Sequence, residues 1–359
     1  MNTPTPAIFV DESVLRNNLK RMSDYATQHG LHLRPHTKTH KSLYVAKLQL
    51  EYGATGLSVA KVGEAEVMAT VCSDIMLAYP IVDQHRCERL ATLASKVTVR
   101  VGTDSKLSVE RLGTAGSSAG TEIGLLVDFD LGYGRTGAQS VDAAVEIAEA
   151  ADQHTGIRLD GIMFYSGHVS GDDKHQADQF GTVAPKCTEL LATFDRKGLC
   201  RDIVSSGSTP SAYNTHLLEV VTEFRSGTYV YNDLNIVRGG YGVIEDCAAR
   251  IRATVVSDSV PGQIVLDAGS KTLTSDLCGP DPDSGHGYIV EYPQAKVAKL
   301  TEEHAQVDVT QSDSQPALGE TVTVIPNHIC PCINLQDNFW LDRGDNIEQL
   351  PVDTRGCVV

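Results

Sequence analysis

Four short stretches of the chain carry side chains that can react with or grip a ligand. The first is Arg34-Pro35-His36-Thr37-Lys38-Thr39-His40-Lys41, which sets one lysine among other basic residues. A primary amine in such surroundings suits a Schiff base with an aldehyde, although a solvated basic loop has the same composition. The second and third are small turns rich in Gly and hydroxyls, Ser205-Ser206-Gly207-Ser208-Thr209-Pro210 and Arg225-Ser226-Gly227-Thr228-Tyr229. Their backbone N–H groups can cradle a phosphate; taken singly, each is equally an ordinary tight turn. The fourth is Pro326-Asn327-His328-Ile329-Cys330-Pro331-Cys332. Residues i and i+2 of an extended segment share a face, so His328 and Cys330 can hold one metal, and an imidazole with a thiolate favours zinc. Two protein ligands leave coordination positions open. Cys332 reads as structural, because Pro331 interrupts the alternation.

These stretches need elements to position them. Asp11 can cap a first helix with an apolar stripe at Leu15, Leu19, Met22 and Ala26, ended by Gly30. Eight apolar, strand-like runs follow, at 31–35, 56–60, 74–79, 96–101, 122–128, 159–165, 202–205 and 221–224, with helical patterns at 43–52, 62–70, 141–152 and about 174–196 between them. Strict alternation predicts an α/β fold, a (β/α)8 TIM-type barrel over 12–243. An open doubly wound sheet also alternates, but no G-x-G-x-x-G follows the first run. After about residue 240 the pattern turns to strands at 248–257, 263–267, 296–300, 307–310 and 321–325, which predicts a C-terminal mainly-β domain over 244–359, with 1–11 packed on it. Reacting groups of such barrels sit at the C-terminal ends of the strands, and phosphate commonly binds after the seventh and eighth. The lysine stretch and the two Gly-rich turns fall at those places. An imine-forming lysine and a phosphate cradle across one barrel mouth suggest pyridoxal phosphate, which carries both groups.

Composition excludes other classes. The 359 residues are 41% hydrophobic and 21% charged, ordinary globular values. Thirty basic against 46 acidic residues give a formal charge of −16, which repels nucleic acid and anionic lipid. No apolar run reaches the roughly 18 residues of a membrane span. The N-terminal Met1-Asn2-Thr3-Pro4 lacks a secretory signal, so a cytoplasmic location is expected. The nine cysteines are scattered and odd in number, which fits free thiols.

Arg34-Pro35-His36-Thr37-Lys38, Gly134-Arg135-Thr136-Gly137, Ser206-Gly207-Ser208-Thr209-Pro210 and Arg225-Ser226-Gly227-Thr228-Tyr229 together resemble the fold type III pyridoxal phosphate enzymes with an alanine racemase-like barrel. Within those, the chain resembles the group of D-serine dehydratase, D-threonine aldolase and D-threo-3-hydroxyaspartate dehydratase. The resemblance implies that Lys38 holds the cofactor through an imine, that Arg135 bonds its phenolic oxygen, and that Ser206, Gly207, Ser208 and Thr209 with Gly227, Thr228 and the adjoining Tyr229 bind its phosphate. Arg225 stands where alanine racemases face the pyridine nitrogen, and an ordinary barrel-end ion pair is the alternative there. Tyr165 and His168, at the end of the sixth run, are candidates for contacting cofactor or substrate and for acid–base work. Asp128 and Asp130 resemble a carboxylate pair but read as structural.

The resemblance further implies a metal on His328 and Cys330, either Zn2+ or a divalent ion such as Mn2+ or Mg2+. It implies a small D-amino acid substrate bearing a β-hydroxyl, and a homodimer. The His-x-Cys form points to a dehydratase giving a keto acid and ammonia, with Lys38 as base and the metal on the leaving hydroxyl. Aldolases of the group tend toward His-x-Asp, yet Pro331-Cys332-Ile333-Asn334-Leu335 resembles the aldolase side. The alternative is therefore a D-threonine aldolase-type cleavage to glycine and an aldehyde, with His168 or a metal-bound hydroxide as base. A non-catalytic pyridoxal phosphate carrier, which resembles only the barrel, is the alternative of another class.

Overall fold

The computed structural model describes residues 3–279 and 281–359. They fall into two compact units, one made of Arg21–Lys38, Leu43–Gly227 and Gly356–Val359, the other of the residues up to Lys20, Thr39–Ser42 and Thr228–Arg355.

In the first unit the eight expected runs all form strands: His32–Leu33, Leu57–Val59, Asp74–Leu77, Thr98–Thr103, Ile123–Asp128, Ile157–Met163, Ile203–Ser206 and Glu223–Phe224. From Leu57–Val59 onward each pairs parallel with the next, and Glu223–Phe224 pairs back onto His32–Leu33. The sheet curls until its edges meet at a parallel bridge between His36 and Ser58, where the Ser58 N–H donates to the Pro35 carbonyl at 2.9 Å. Side chains alternate across the strands. Ile75, Leu77, Val99, Val101, Leu125, Val127 and Val204 face outward into one apolar core with Leu90, Leu112, Ala144, Ala148, Leu190 and Phe194 of the surrounding helices. Met76, Leu126 and Met163, of the opposite parity, form a separate inner cluster. The lumen is filled to contact there, since a Cβ on Gly102 would lie 2.1 Å from the Met163 sulfur. The helix at Val141–Asp152 matches its expected span and is capped by the Ser140 hydroxyl, which accepts from Ala143 N–H at 3.1 Å.

In the second unit six strands close a ring, in the order Ala249–Ser257, Thr321–Ile325, Tyr288–Ile289, Lys296–Leu300, Ala305–Asp308, Gln263–Leu266 and back to the first. Ala7–Asp11 pairs antiparallel with Ala249–Ser257 and parallel with Asn338–Asp342, which pairs with Ile347–Pro351. The sequence reading lacks Tyr288–Ile289, Asn338–Asp342 and Ile347–Pro351. It also reads the segment carrying His328 and Cys330 as extended, whereas Ile329–Leu335 is a short helix.

Among the described residues no helix is long and apolar enough to cross a membrane.

Candidate active site

Lys38 sits in a single helical turn, Thr37–Thr39, directly after the first barrel strand. The Thr37 hydroxyl ties this turn to the Ser58 carbonyl at 3.2 Å, and the Lys38 N–H donates to His36 Nδ1 at 3.2 Å. The side chain of Lys38 is exposed rather than partly buried. The basic residues around it do not converge as expected. Arg34 turns inward, where its Nε lies 2.9 Å from Glu223 and its Nη1 2.7 Å from Asp74. Burial opposes that guanidinium's charge, but Glu223 and Asp74 outweigh it and hold it firmly protonated. Lys41 and His40 belong to the second unit, where Lys41 Nζ donates to the Thr354 carbonyl at 3.3 Å and His40 Nδ1 accepts from the Ser42 N–H at 3.1 Å. The local string of cations is thus dispersed by distant carboxylates and carbonyls.

The turn after the seventh strand is built as a cradle. The Ser166 N–H and hydroxyl both donate to the Gly207 carbonyl, at 3.0 and 3.1 Å, and the Ser226 hydroxyl donates to the Ser208 carbonyl at 2.8 Å. These bonds fix the carbonyls away from the turn. Among the described residues the N–H groups of Gly207, Ser208 and Gly227 donate to no protein acceptor. The Ser208 hydroxyl is buried without a partner, and Ser206 is buried with its hydroxyl 3.4 Å from that of Ser166. Position 207 is tight: an added Cβ would stand 3.1 Å from Arg225 Nη2, so that side chain would have to give by a few tenths of an ångström. Arg225 is itself buried, giving Nη1 to the Ser205 hydroxyl at 2.6 Å and Nη2 to the Phe164 carbonyl at 2.9 Å. Burial, opposed by Glu223 and Asp128, lowers its pKa to about 10.

The loop after the fifth strand places Arg135. Asp130 accepts from the Gly132 and Gly134 N–H groups at 2.9 and 3.2 Å, and the Thr136 hydroxyl donates to Asp128 at 2.7 Å. The two carboxylates therefore shape the loop. Burial raises the pKa of Asp128, while for Asp130 the hydrogen bonds outweigh burial and lower it. The Arg135 guanidinium lies 4.6 Å from the ring centre of Tyr165 and 5.1 Å from that of Tyr133, and the two rings meet edge to face at 4.8 Å. Gly167 makes room for Tyr165, whose ring would lie 2.1 Å from a Cβ there. His168 follows, with a buried Nδ1 that has no partner. The first unit thus holds Lys38, Arg135, Tyr165, His168, Ser206, Gly207, Ser208, Thr209, Arg225 and Gly227.

The second unit brings His328 and Cys330 together on a different backbone from the one expected. His328 caps the helix Ile329–Leu335, and Cys330 lies in its first turn. Pro331 is tolerated there because first-turn N–H groups have no intrahelical acceptor. Asp233 supplies what the helix start lacks: its Oδ2 accepts from Ile329 N–H at 3.1 Å while its Oδ1 accepts from Ile236 N–H at 3.2 Å, so one buried carboxylate caps two helices. Burial raises the pKa of Asp233 to about 6. Asp276 Oδ2 is 2.8 Å from His328 Nδ1, so Nε2 is the ring nitrogen that could ligate a metal. Burial disfavours the imidazolium, but a hydrogen bond to Cys330, the charges of Cys330 and Asp233, and the bond to Asp276 carry His328 up to about 9. The Cys330 sulfur is 3.2 Å from the Thr39 hydroxyl and 3.8 Å from that of Thr228, and these residues directly follow Lys38 and Gly227 in the chain. Tyr229 is buried in the turn Thr228–Val230. Cys332 is fully buried with its sulfur directed at the Leu273 and His328 carbonyls, a structural place as expected. Among the described residues no three His, Cys, Asp or Glu side chains converge as a metal cluster, so the pair would leave most of a coordination sphere open. Sequence reasoning missed Asp276, Asp233, Ser166 and Thr39; no local pattern marks them.

A curled parallel β/α barrel with a lysine after its first strand and a cradle after its seventh, followed by an antiparallel β unit, defines the alanine racemase-like class. Residues 10–235 match the family model for the alanine racemase N-terminal domain, and 248–341 match that for a putative serine dehydratase domain. The chain belongs to this enzyme family, and to its branch of D-serine dehydratases, D-threonine aldolases and D-threo-3-hydroxyaspartate dehydratases. It is 30% identical to a 3-hydroxy-D-aspartate aldolase of Paracoccus denitrificans, covering 98% of this chain and 92% of that one. It is 27% identical to the D-threo-3-hydroxyaspartate dehydratase of a Delftia species, over 91% and 90% of the two chains. The crystal structure of D-threonine aldolase from Filomicrobium marinum superposes with a TM-score of 0.92 at 29% identity, over 99% and 97%.

Proposed function

We propose that the protein is a pyridoxal phosphate- and divalent metal-dependent lyase for D-amino acids with a β-hydroxyl, and that it eliminates that hydroxyl to give a keto acid and ammonia. The observation that carries this reading is the thiol of Cys330 held beside His328, with Asp276 fixing the imidazole.

Pyridoxal phosphate bound in the barrel would supply an electron sink for the substrate's α-carbon. Its fit is supported by the unspent donors of the cradle, namely the Gly207, Ser208 and Gly227 N–H groups and the Ser208 hydroxyl. Ser206, Thr209, Thr228 and Tyr229 complete the phosphate-binding set. Lys38 would anchor the cofactor by its amine, and that amine is the base that would take the α-proton. Arg135, steadied by Tyr165, would donate to the phenolic oxygen, and Arg225 would face the ring nitrogen. A divalent metal would supply Lewis acidity at the β-hydroxyl. His328 Nε2 and Cys330 Sγ hold it, and this donor set favours zinc over Mn2+ or Mg2+. The working species is a homodimer, by resemblance to the family.

A second reading has its own support: a relative at 30% identity and the superposing crystal structure are both aldolases. In that case His168, whose Nδ1 has no protein partner, takes the proton of the β-hydroxyl, and the Cα–Cβ bond breaks. The match of residues 248–341 to a serine dehydratase domain argues against a barrel-only carrier.

Incubation with D-serine, D-threonine and D-3-hydroxyaspartate, with and without chelator, decides between them. Ammonia plus keto acid supports elimination; glycine plus aldehyde replaces it with the aldolase reading. No turnover of any of the three with metal present overturns both.

A further inference from the structure

The barrel lumen below the mouth holds an unbroken line of alternating charges. Arg158 is 2.6 Å from Asp160, Asp160 is 2.8 Å from Arg100, Arg100 touches Asp74, Asp74 is 2.7 Å from Arg34, and Arg34 is 2.9 Å from Glu223. Each charge in this line meets its opposite directly. The alternation would continue with Arg225, but there it is interrupted by the hydroxyl of Ser205, which is fully buried. Ser205 Oγ donates its single proton to Glu223 Oε1 at 2.6 Å and can therefore only accept from Arg225 Nη1, also at 2.6 Å. Glu223 Oε2 is already engaged by Arg34. The carboxylates of Glu223 and Asp128, the guanidinium of Arg34 and the phenol of Tyr165 act on Arg225, and among the described residues no carboxylate bonds it directly. A hydroxyl between a buried cation and its counter-ion leaves the cation fixed in direction but incompletely neutralised.

We propose that Ser205 is a positioning residue that spaces Arg225 from Glu223, so that the guanidinium stays at the barrel mouth with net positive charge instead of collapsing onto the carboxylate. This rests on the reading that Arg225 faces the ring nitrogen of bound pyridoxal phosphate. With Ser205 in place, the cation opposes protonation of the cofactor; without it, Arg225 can pair with Glu223 and withdraw.

The test is a pH titration of the visible absorbance of the full-length, pyridoxal phosphate-loaded protein. Ser205→Ala is expected to raise the midpoint by ~0.5–1 unit, about three- to tenfold in the protonation equilibrium, because a cation has moved away. Glu223→Gln removes the pull instead, and is expected to lower the midpoint. Ser205→Thr retains the hydroxyl and should stay at the wild-type midpoint, and Arg225→Ala should shift upward like Ser205→Ala. Opposite signs for Ser205→Ala and Glu223→Gln are not produced by general loosening. If Ser205→Ala does not fold, Ser205→Cys, a similar volume with a weak donor, carries the same expectation. Should Arg225→Ala shift the midpoint while the Ser205 and Glu223 variants overlay the wild type, the spacer is refuted and Arg225 keeps its place at the ring. Should Arg225→Ala also leave it unmoved, the ring contact falls and the spacer with it. Absence of any visible band in the wild type refutes cofactor binding and both ideas together.

Discussion

The barrel mouth and the His328–Cys330 pair are built on opposite principles. At the mouth the protein leaves bonding capacity unspent: among the described residues the Ser208 hydroxyl and His168 Nδ1 are buried without partners, and three N–H groups of the Gly-rich turns find no protein acceptor. Buried polar groups without partners are costly, so an arrangement that gathers several of them is shaped for an occupant that completes them. In the second unit the pair is already bonded, His328 to Asp276 and Cys330 beside the hydroxyls of Thr39 and Thr228. A metal would replace some of those contacts instead of filling a gap. On the proposed function, the difference teaches that affinity for the cofactor would lie in the backbone of two loops, whereas affinity for a metal would lie in side chains that can be tuned one at a time.

That contrast can be attacked in order of expected effect. Lys38→Ala should abolish the absorbance above 400 nm and lower turnover by about 10³-fold or more; a retained band would move the anchor elsewhere. Cys330→Ala should keep that band yet lose bound metal and at least ~10²-fold in rate, measured by metal analysis beside the spectrum, and full activity would remove the metal from the mechanism. Asp276→Asn should weaken metal affinity about 10- to 100-fold in chelator competition without changing cofactor affinity, which separates the two regions most sharply. Gly207→Ala should do the reverse, weakening pyridoxal phosphate binding about tenfold through the approach of its Cβ to Arg225 and leaving metal affinity alone.

The barrel was legible because its outward faces are apolar runs punctuated by helical stripes, and each run is a strand at nearly its expected place. Ile347–Pro351 escaped because its polar, largely exposed pattern carries no core signal. Asn338–Asp342 escaped although Phe339 and Leu341 alternate into the core, because so short a run follows a helical segment that itself reads as extended. His328 and Cys330 stand together as expected but on a different backbone: what starts their helix is a carboxylate 96 residues from Ile329 in sequence. Asp276, 52 residues from His328, was invisible for the same reason. The cations around Lys38 looked like a cluster only because Glu223 and Asp74, which claim Arg34, are remote in the chain.

Ala7–Asp11 lies hydrogen-bonded between Ala249–Ser257 and Asn338–Asp342. During synthesis this segment is made before the whole barrel, and its two neighbours follow only after the barrel, the second of them later still. Its apolar edge needs protection in that interval, and crowding of this strand should impair maturation of the late-made sheet before it disturbs the barrel.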